Sequence, residues 1–301
     1  MSAGWRISSS RPRIEPADPD RSSGPALTRS ILITGCSSGI GYASATALRA
    51  EGWRVFATCR AQADADRLAS DGFETARLDY TDPGTIEVAL DRVLAATGGT
   101  LDALHNNGAV ALPGANEDLP RAGLQHVFET NLFGPHDLTR RVIPVMRRQG
   151  HGRIVNCSSV LGIVTAPWRS AYVASKFALE GLTDTLRIEM RDTPIHVILL
   201  QPGPIRTRIR ENSTALFERY VDWEASARAE QYRRSLLTRL YDAPGRDRFE
   251  LPPEAVARTL IRALEEPEPS ARYRVTTPTR AMEMARRLLP NRALDWILSR
   301  A

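Results

Sequence analysis

The chain has 301 residues, an apolar fraction of 42% and a formal net charge of +5. That apolar content excludes a wholly disordered chain and suffices for a large α/β core. Its basic residues are interspersed with acids and form no long basic block, so no nucleic-acid role is expected.

In chain order, residues 1–28 are rich in Pro, Ser, Arg and Asp, lack the apolar run of a signal peptide and read as a disordered tail. SILIT (30–34) is a short apolar run suited to a strand buried on both faces. A glycine-rich turn follows, then a helix over YASATALRAEG that Gly52 closes. WRVFATC (53–59), FETARLD (73–79) and LDALHNN (101–107) predict further strands, with helices over AQADADRLASDG and PGTIEVALDRVLAATGG. Residues 120–149 hold one or two helices. GRIVNCSS (152–159) and IHVILLQPG (195–203) are strands on either side of a long helix over 170–191. This alternation predicts βαβ units and an α/β, doubly wound parallel sheet in one domain over 29–301. The rhythm breaks after 203. Residues 207–250 are polar and helical, as an inserted helical lid over a substrate site would be. A helix starting on proline, PPEAVARTLIRALEEP, and a last strand, ARYRVT, come next. The amphipathic stretch AMEMARRLLPNRALDWILSR would suit the sheet edge, a partner subunit or the border of a pocket.

Cys36, Cys59 and Cys157 show neither C-x-x-C pairing nor zinc-ligand spacing, so buried free thiols and no metal are expected. No stretch approaches the ~20 apolar residues of a membrane span. With no apolar signal sequence, a reducing cytoplasmic location is expected.

In ILITGCSSGIGYA, glycines 35, 39 and 41 fall between the first strand and the first helix. There, backbone N–H groups and the helix N-terminus can face a dinucleotide phosphate. A ribose-binding acid is expected near the end of the second strand, but that strand ends in Cys59 and Arg60. An arginine can pair with a 2′-phosphate by two charge-assisted bonds, which points to NADP(H) over NAD(H).

Lys176 is the only lysine beside 39 arginines, and it lies four residues after Tyr172 at the start of a helix. The spacing puts both side chains on one face. A compact ammonium there would lower the phenol's pKa and ready it for proton exchange with an alcohol or ketone. Ser159 ends a strand thirteen residues earlier and can meet Tyr172 over a shared substrate oxygen.

TGCSSGIG, Asn106-Asn107, Asn131, Ser159, YVASK and PGPIRT, in this order, closely resemble the short-chain dehydrogenase/reductase family over about 29–207. The resemblance implies a Rossmann-like domain and a tetrad. In it Tyr172 is the acid/base, Lys176 binds the nicotinamide ribose, Ser159 holds the substrate oxygen and Asn131 supports a relay water. It implies cofactor contacts from Gly35, Ser37, Ser38, Gly39, Ile40 and Gly41, from Asp79 at the adenine, from Asn107 and Gly108 at its ribose, and from Pro202, Gly203, Ile205 and Thr207 beside the nicotinamide. It also implies a homodimer or homotetramer.

Two departures stand out. The family usually reads Asn-Asn-Ala-Gly where this chain has Asn-Asn-Gly108-Ala109. Ser38 also stands where many NADP-using members carry a basic residue, which leaves preference to Arg60 and the Ser37 hydroxyl. SSVLGIVTAPWRSAYVASKFALEGLTDTLRIEM is similar to the branch acting on steroids, retinoids and other hydrophobic carbonyls. The function implied is hydride transfer between NADP(H) and a small-molecule secondary alcohol or ketone. The alternative is a non-catalytic NADP(H)-binding sensor on the same fold.

Overall fold

The computed structural model describes residues 28–242 and 249–299. The tail expected over 1–28 therefore falls, except for Thr28, outside the described residues. Seven strands form one all-parallel sheet: β1 Ser30–Ile33, β2 Arg54–Cys59, β3 Glu74–Arg77, β4 Ala103–Asn106, β5 Gly152–Cys157, β6 Ile195–Gln201 and β7 Arg272–Arg274. Their order across the sheet is 3-2-1-4-5-6-7, so the direction of winding reverses between β1 and β4. Ligands gather outside the carboxyl ends of strands at such a reversal.

Alternate residues of the central strands serve opposite cores, as a pleated strand requires. Ile31 and Ile33 face a core shared with Ala45 and Leu48 of helix α1 (Gly39–Ala50). That core also takes Ala65 and Leu68 of α2 (Gln62–Ser70). Leu32 faces the other core, with Ile86, Leu90 and Val93 of α3 (Pro83–Thr97). The helical stretch expected over 120–149 is two helices, α4 (Arg121–Phe128) and α5 (Gly134–Gln149), joined by a widened π turn over Glu129–Phe133. Leu138, Val142, Val145 and Met146 of α5 complete the second core. The long helix is α6, Ser170–Glu189.

After β6 come α7 (Ile209–Tyr220), α8 (Ala229–Gln231), a π segment Tyr232–Leu237 and α9 (Thr238–Tyr241). They bury Phe217, Val221, Tyr232 and Leu236 against Leu112, Val127 and Ala171 in a separate apolar cluster. The chain returns through α10 (Pro253–Glu265), whose Val256 and Leu260 join the first core beside α1. The amphipathic C-terminal stretch is α11 (Thr277–Leu288) and α12 (Asn291–Leu298), with Pro290 at the break. Met282, Leu294 and Leu298 pack on Val160, Ile163 and Val164, directly after Ser159. Glu283 of α11 also pairs with Arg274 of the edge strand β7, so the stretch lies against the sheet edge as well as the segment after Ser159. No helix among the described residues is long and apolar enough to cross a membrane.

Candidate active site

The turn after β1 is built by close backbone approach. Gly35 has φ +69°, and a Cβ there would lie 2.7 Å from Gly108 Cα. A Cβ on Gly41 would lie 2.3 Å from the Gly35 carbonyl oxygen and 2.7 Å from Asn107 Nδ2. Only glycine fits this cradle, which leaves the mouth of α1 open to an anion. Asn107, expected as a cofactor contact, clips the turn: its Nδ2 donates to the carbonyls of Thr34 at 2.9 Å and Gly35 at 3.3 Å.

The Gly108 departure has a local cause. Tyr80 Cε2 lies 3.2 Å from where a Cβ on residue 108 would stand. The buried Tyr80 hydroxyl bonds Thr34 Oγ1 at 2.8 Å and donates to Asn106 Oδ1 at 2.7 Å, tying β1 to β4 at the reversal point. Tyr80 is a site-supporting residue that periodicity did not single out.

A cleft of about 500 Å³ runs across the strand ends from Arg60 to Leu216. It is lined by Gly35, Ser37, Ser38, Gly39, Ile40, Arg60, Asp79, Asn107, Gly108, Ser159, Tyr172, Lys176, Pro202, Gly203, Ile205 and Thr207. Of the residues singled out from the sequence, Gly41 and Asn131 are not on its wall. A larger depression of about 750 Å³, lined in part by Asn116, Trp168 and Arg228, contains none of those residues. The strand-end cleft is the one that joins the glycine turn to Tyr172.

Arg60 is exposed at one end of the cleft and has no ion pair among the described residues. Cys59 beside it is buried, and desolvation pushes its thiol up to about 11. No carboxylate ends β2 where a ribose-binding acid would stand. Asp79 Oδ1 accepts from Thr81 N at 3.0 Å and Thr81 Oγ1 at 2.9 Å.

At the other end, Ser159 lies at the carboxyl end of β5 and its Oγ accepts from Leu161 N at 3.1 Å. Ser159 and Tyr172 line the same cleft. Lys176 is buried, its Nζ donating to the Cys157 carbonyl at 2.7 Å and lying 5.6 Å from the Tyr172 ring centroid. Burial is the first cause that moves Tyr172, and it raises the phenol well above its usual range, against the lowering influence of Ser159 and Arg169. Burial likewise lowers Lys176, against the opposing pull of Cys157 and Glu180. The acidic phenol expected from an adjacent ammonium is therefore not a property of the chain by itself. Desolvation outweighs an ammonium that is already engaged by a main-chain carbonyl.

Asn131 is buried within the π turn. Its Oδ1 accepts from Val110 N at 2.9 Å, and its Nδ2 donates to Val110 O at 2.9 Å and Ser175 Oγ at 3.0 Å. The widened turn aims this amide between the segment after β4 and the underside of α6. One turn beyond Lys176, buried Glu180 accepts from Gln201 Nε2 at 2.9 Å and pairs with Arg272 at 3.4 Å. These carboxylate contacts tie α6 to β6 and β7.

A glycine cradle at the winding reversal and a Ser–Tyr–Lys cluster in the same cleft define a dinucleotide-dependent oxidoreductase. Residues 29–216 match the short chain dehydrogenase family, and the chain belongs to it. An Escherichia coli oxidoreductase, YbbO, is 40% identical over 276 residues, covering 91% of this chain and 96% of its own. Human 17-beta-hydroxysteroid dehydrogenase type 1 is 31% identical over 268 residues, 82% of this chain and 77% of its own. The crystal structure of a Burkholderia phymatum short chain dehydrogenase/reductase in complex with NAD superimposes with a TM-score of 0.72. It is 26% identical and covers 90% of this chain and 95% of that one.

Proposed function

We propose that the protein is an NADP(H)-dependent reductase of hydrophobic ketones. The observation that carries the reading is that Ser159, Tyr172 and the buried Lys176 ammonium line one cleft with the glycine turn. Arg60 would hold the 2′-phosphate, since it is exposed, without an ion pair among the described residues and not flanked by a ribose-binding acid. Asp79 would meet the adenine. Pro202, Gly203, Ile205 and Thr207 would border the nicotinamide, which when bound supplies or accepts a hydride.

Ser159 holds the carbonyl oxygen and Tyr172 delivers the proton to it. A phenol raised by burial keeps its proton at neutral pH, the form from which a ketone reduction draws it. Lys176, anchored on Cys157, sets a positive charge beneath the phenol to stabilise it once the proton has left. Asn131 supports the relay by fixing Val110 and Ser175. The segment 207–250 would act as the lid, with Ile209, Ala215 and Leu216 presenting apolar wall to the substrate. The human steroid dehydrogenase relative supports a bulky apolar substrate. Exposed Phe133, Leu182 and Ile188 on α6 and the π turn before α5 support a homodimer or homotetramer. A screen of NADPH oxidation against ketones graded by size and polarity tests this reading. Turnover rising with apolar bulk is expected; no turnover of any ketone would refute it.

A further inference from the structure

Tyr232 is fully buried in the apolar cluster formed after β6, among Phe217, Val221 and Leu236. A phenylalanine would fill that space as well, so the hydroxyl needs its own account. In apolar surroundings a polar group is costly unless it is bonded. This one accepts from Ala115 N at 2.7 Å and donates to Asp118 Oδ2 at 2.8 Å. Ser226 Oγ donates to the same carboxylate oxygen at 2.7 Å, and Arg228 pairs with Glu117. Residues 226–232 of the expected lid thus grip residues 115–118, in the connection between β4 and α4.

That connection is joined in turn to the start of α6. Gly114 N donates to the Trp168 carbonyl at 3.0 Å, and Gly114 bridges to Arg169 in parallel strand fashion. Trp168 has φ 63°, the only positive φ at a non-glycine residue among those described. A bulky residue keeps that conformation only where its surroundings enforce it. Here the enforcing contacts are the Gly114 N–H and the Tyr232 ring, whose centroid lies 4.8 Å from that of Trp168. Tyr172 follows in the first turn of α6. The same connection is tied to α6 a second time, where Asn131 bonds both Val110 and Ser175. Ser175 Oγ donates to the Tyr172 carbonyl at 2.8 Å.

We infer that Tyr232 is a positioning residue for the proton transfer: its hydroxyl and ring hold the Trp168 turn, and with it the first turn of α6, so that the Tyr172 hydroxyl meets the substrate oxygen. The inference rests on the proposed reduction, in which Tyr172 delivers the proton. A general acid has to stand within hydrogen-bond reach of the oxygen it serves, and a displacement of about 1 Å can slow the reaction roughly 10²-fold. Tyr232 is not on the wall of the strand-end cleft, so it acts through Trp168 and does not touch the substrate.

Tyr232→Phe keeps the ring on Trp168 and removes the hydroxyl. With the best ketone from the screen, kcat is expected to fall at least about tenfold, and KM and NADPH Kd to stay within about threefold of wild type. A smaller fall in kcat would overturn the inference, and a rise in KM by itself is what a residue that only closes the lid would give. Asp118→Ala, at a partly exposed position, should act in the same direction and carries the comparison should Tyr232→Phe not fold. Asp118→Asn keeps an oxygen for the hydroxyl and should restore kcat; equal losses in the two Asp118 variants would count against the bond. Hydrogen exchange of the protein alone separates this inference from the reductase reading. In Tyr232→Phe the amides of 168–176 are expected to exchange at least about tenfold faster than in the wild type, with β1 and β5 unchanged. If no ketone is turned over but this difference appears, the reductase reading fails and the hold of Tyr232 on α6 stands. Unchanged exchange over 168–176 would overturn that hold by itself, and so would faster exchange throughout, since that reports a general loss of stability.

Discussion

Arg60→Asp tests how the chain reads its coenzyme. Arg60 is exposed at one end of the cleft, has no ion pair among the described residues and follows a buried cysteine rather than an acid. A guanidinium there can make two charge-assisted bonds to a 2′-phosphate. At an exposed position each takes the low end of the range, about 1.5 kcal/mol, so about 3 kcal/mol in all. Their loss corresponds to roughly a 150-fold rise in NADPH Kd, and the new carboxylate adds repulsion on top. The same carboxylate can accept from a free ribose 2′-hydroxyl, so NADH should bind tighter than in the wild type. Fluorescence titrations of both coenzymes, at fixed ionic strength, give the ratio of their dissociation constants. A ratio within threefold of wild type would refute the assignment of the phosphate to Arg60.

Gly41→Ala places a methyl 2.3 Å from the Gly35 carbonyl oxygen, which is main chain and cannot step aside. The turn must open, with a stability loss of about 1–3 kcal/mol by urea unfolding and at least a tenfold weaker NADPH Kd; wild-type values for both would remove the cradle from the account. His105 is fully buried on β4, and burial lowers its pKa from 6.5 to about 4. Between those values the unfolded chain binds a proton that the folded chain does not. Its contribution is therefore complete above pH 6.5 and is lost as pH falls towards 4, by about 3 kcal/mol. Urea unfolding from pH 7 to 4 should show a shallower acid loss for His105→Leu than for the wild type, and parallel curves would contradict this.

Much of the sheet was legible because strands buried on both faces appear as unbroken apolar runs, and Gly, Pro and polar turns separate them. The strand expectations hold within one or two residues: LDALHNN pairs only over Ala103–Asn106, and ARYRVT only over Arg272–Arg274. The π turn at Asn131 was not legible, since one extra residue in a helical turn leaves the apolar pattern nearly unchanged. Asn107 illustrates a further limit: a motif places the residue at the cleft without showing that its amide is used to clip Gly35. The Tyr172–Lys176 spacing placed both side chains in one cleft, yet the direction of the phenol's shift depends on desolvation, which spacing does not encode.

The measurement that bears most directly on the whole account is NADPH oxidation by Tyr172→Phe with the best ketone from the screen, alongside its NADPH Kd. The substitution removes the hydroxyl in the cleft with Ser159 and leaves the ring, the Lys176 anchor and the glycine turn in place. A fall in turnover of about 10²–10⁴-fold with a Kd within a few-fold of wild type is expected for the loss of a general acid. Turnover within tenfold of wild type would show that the proton comes from another group.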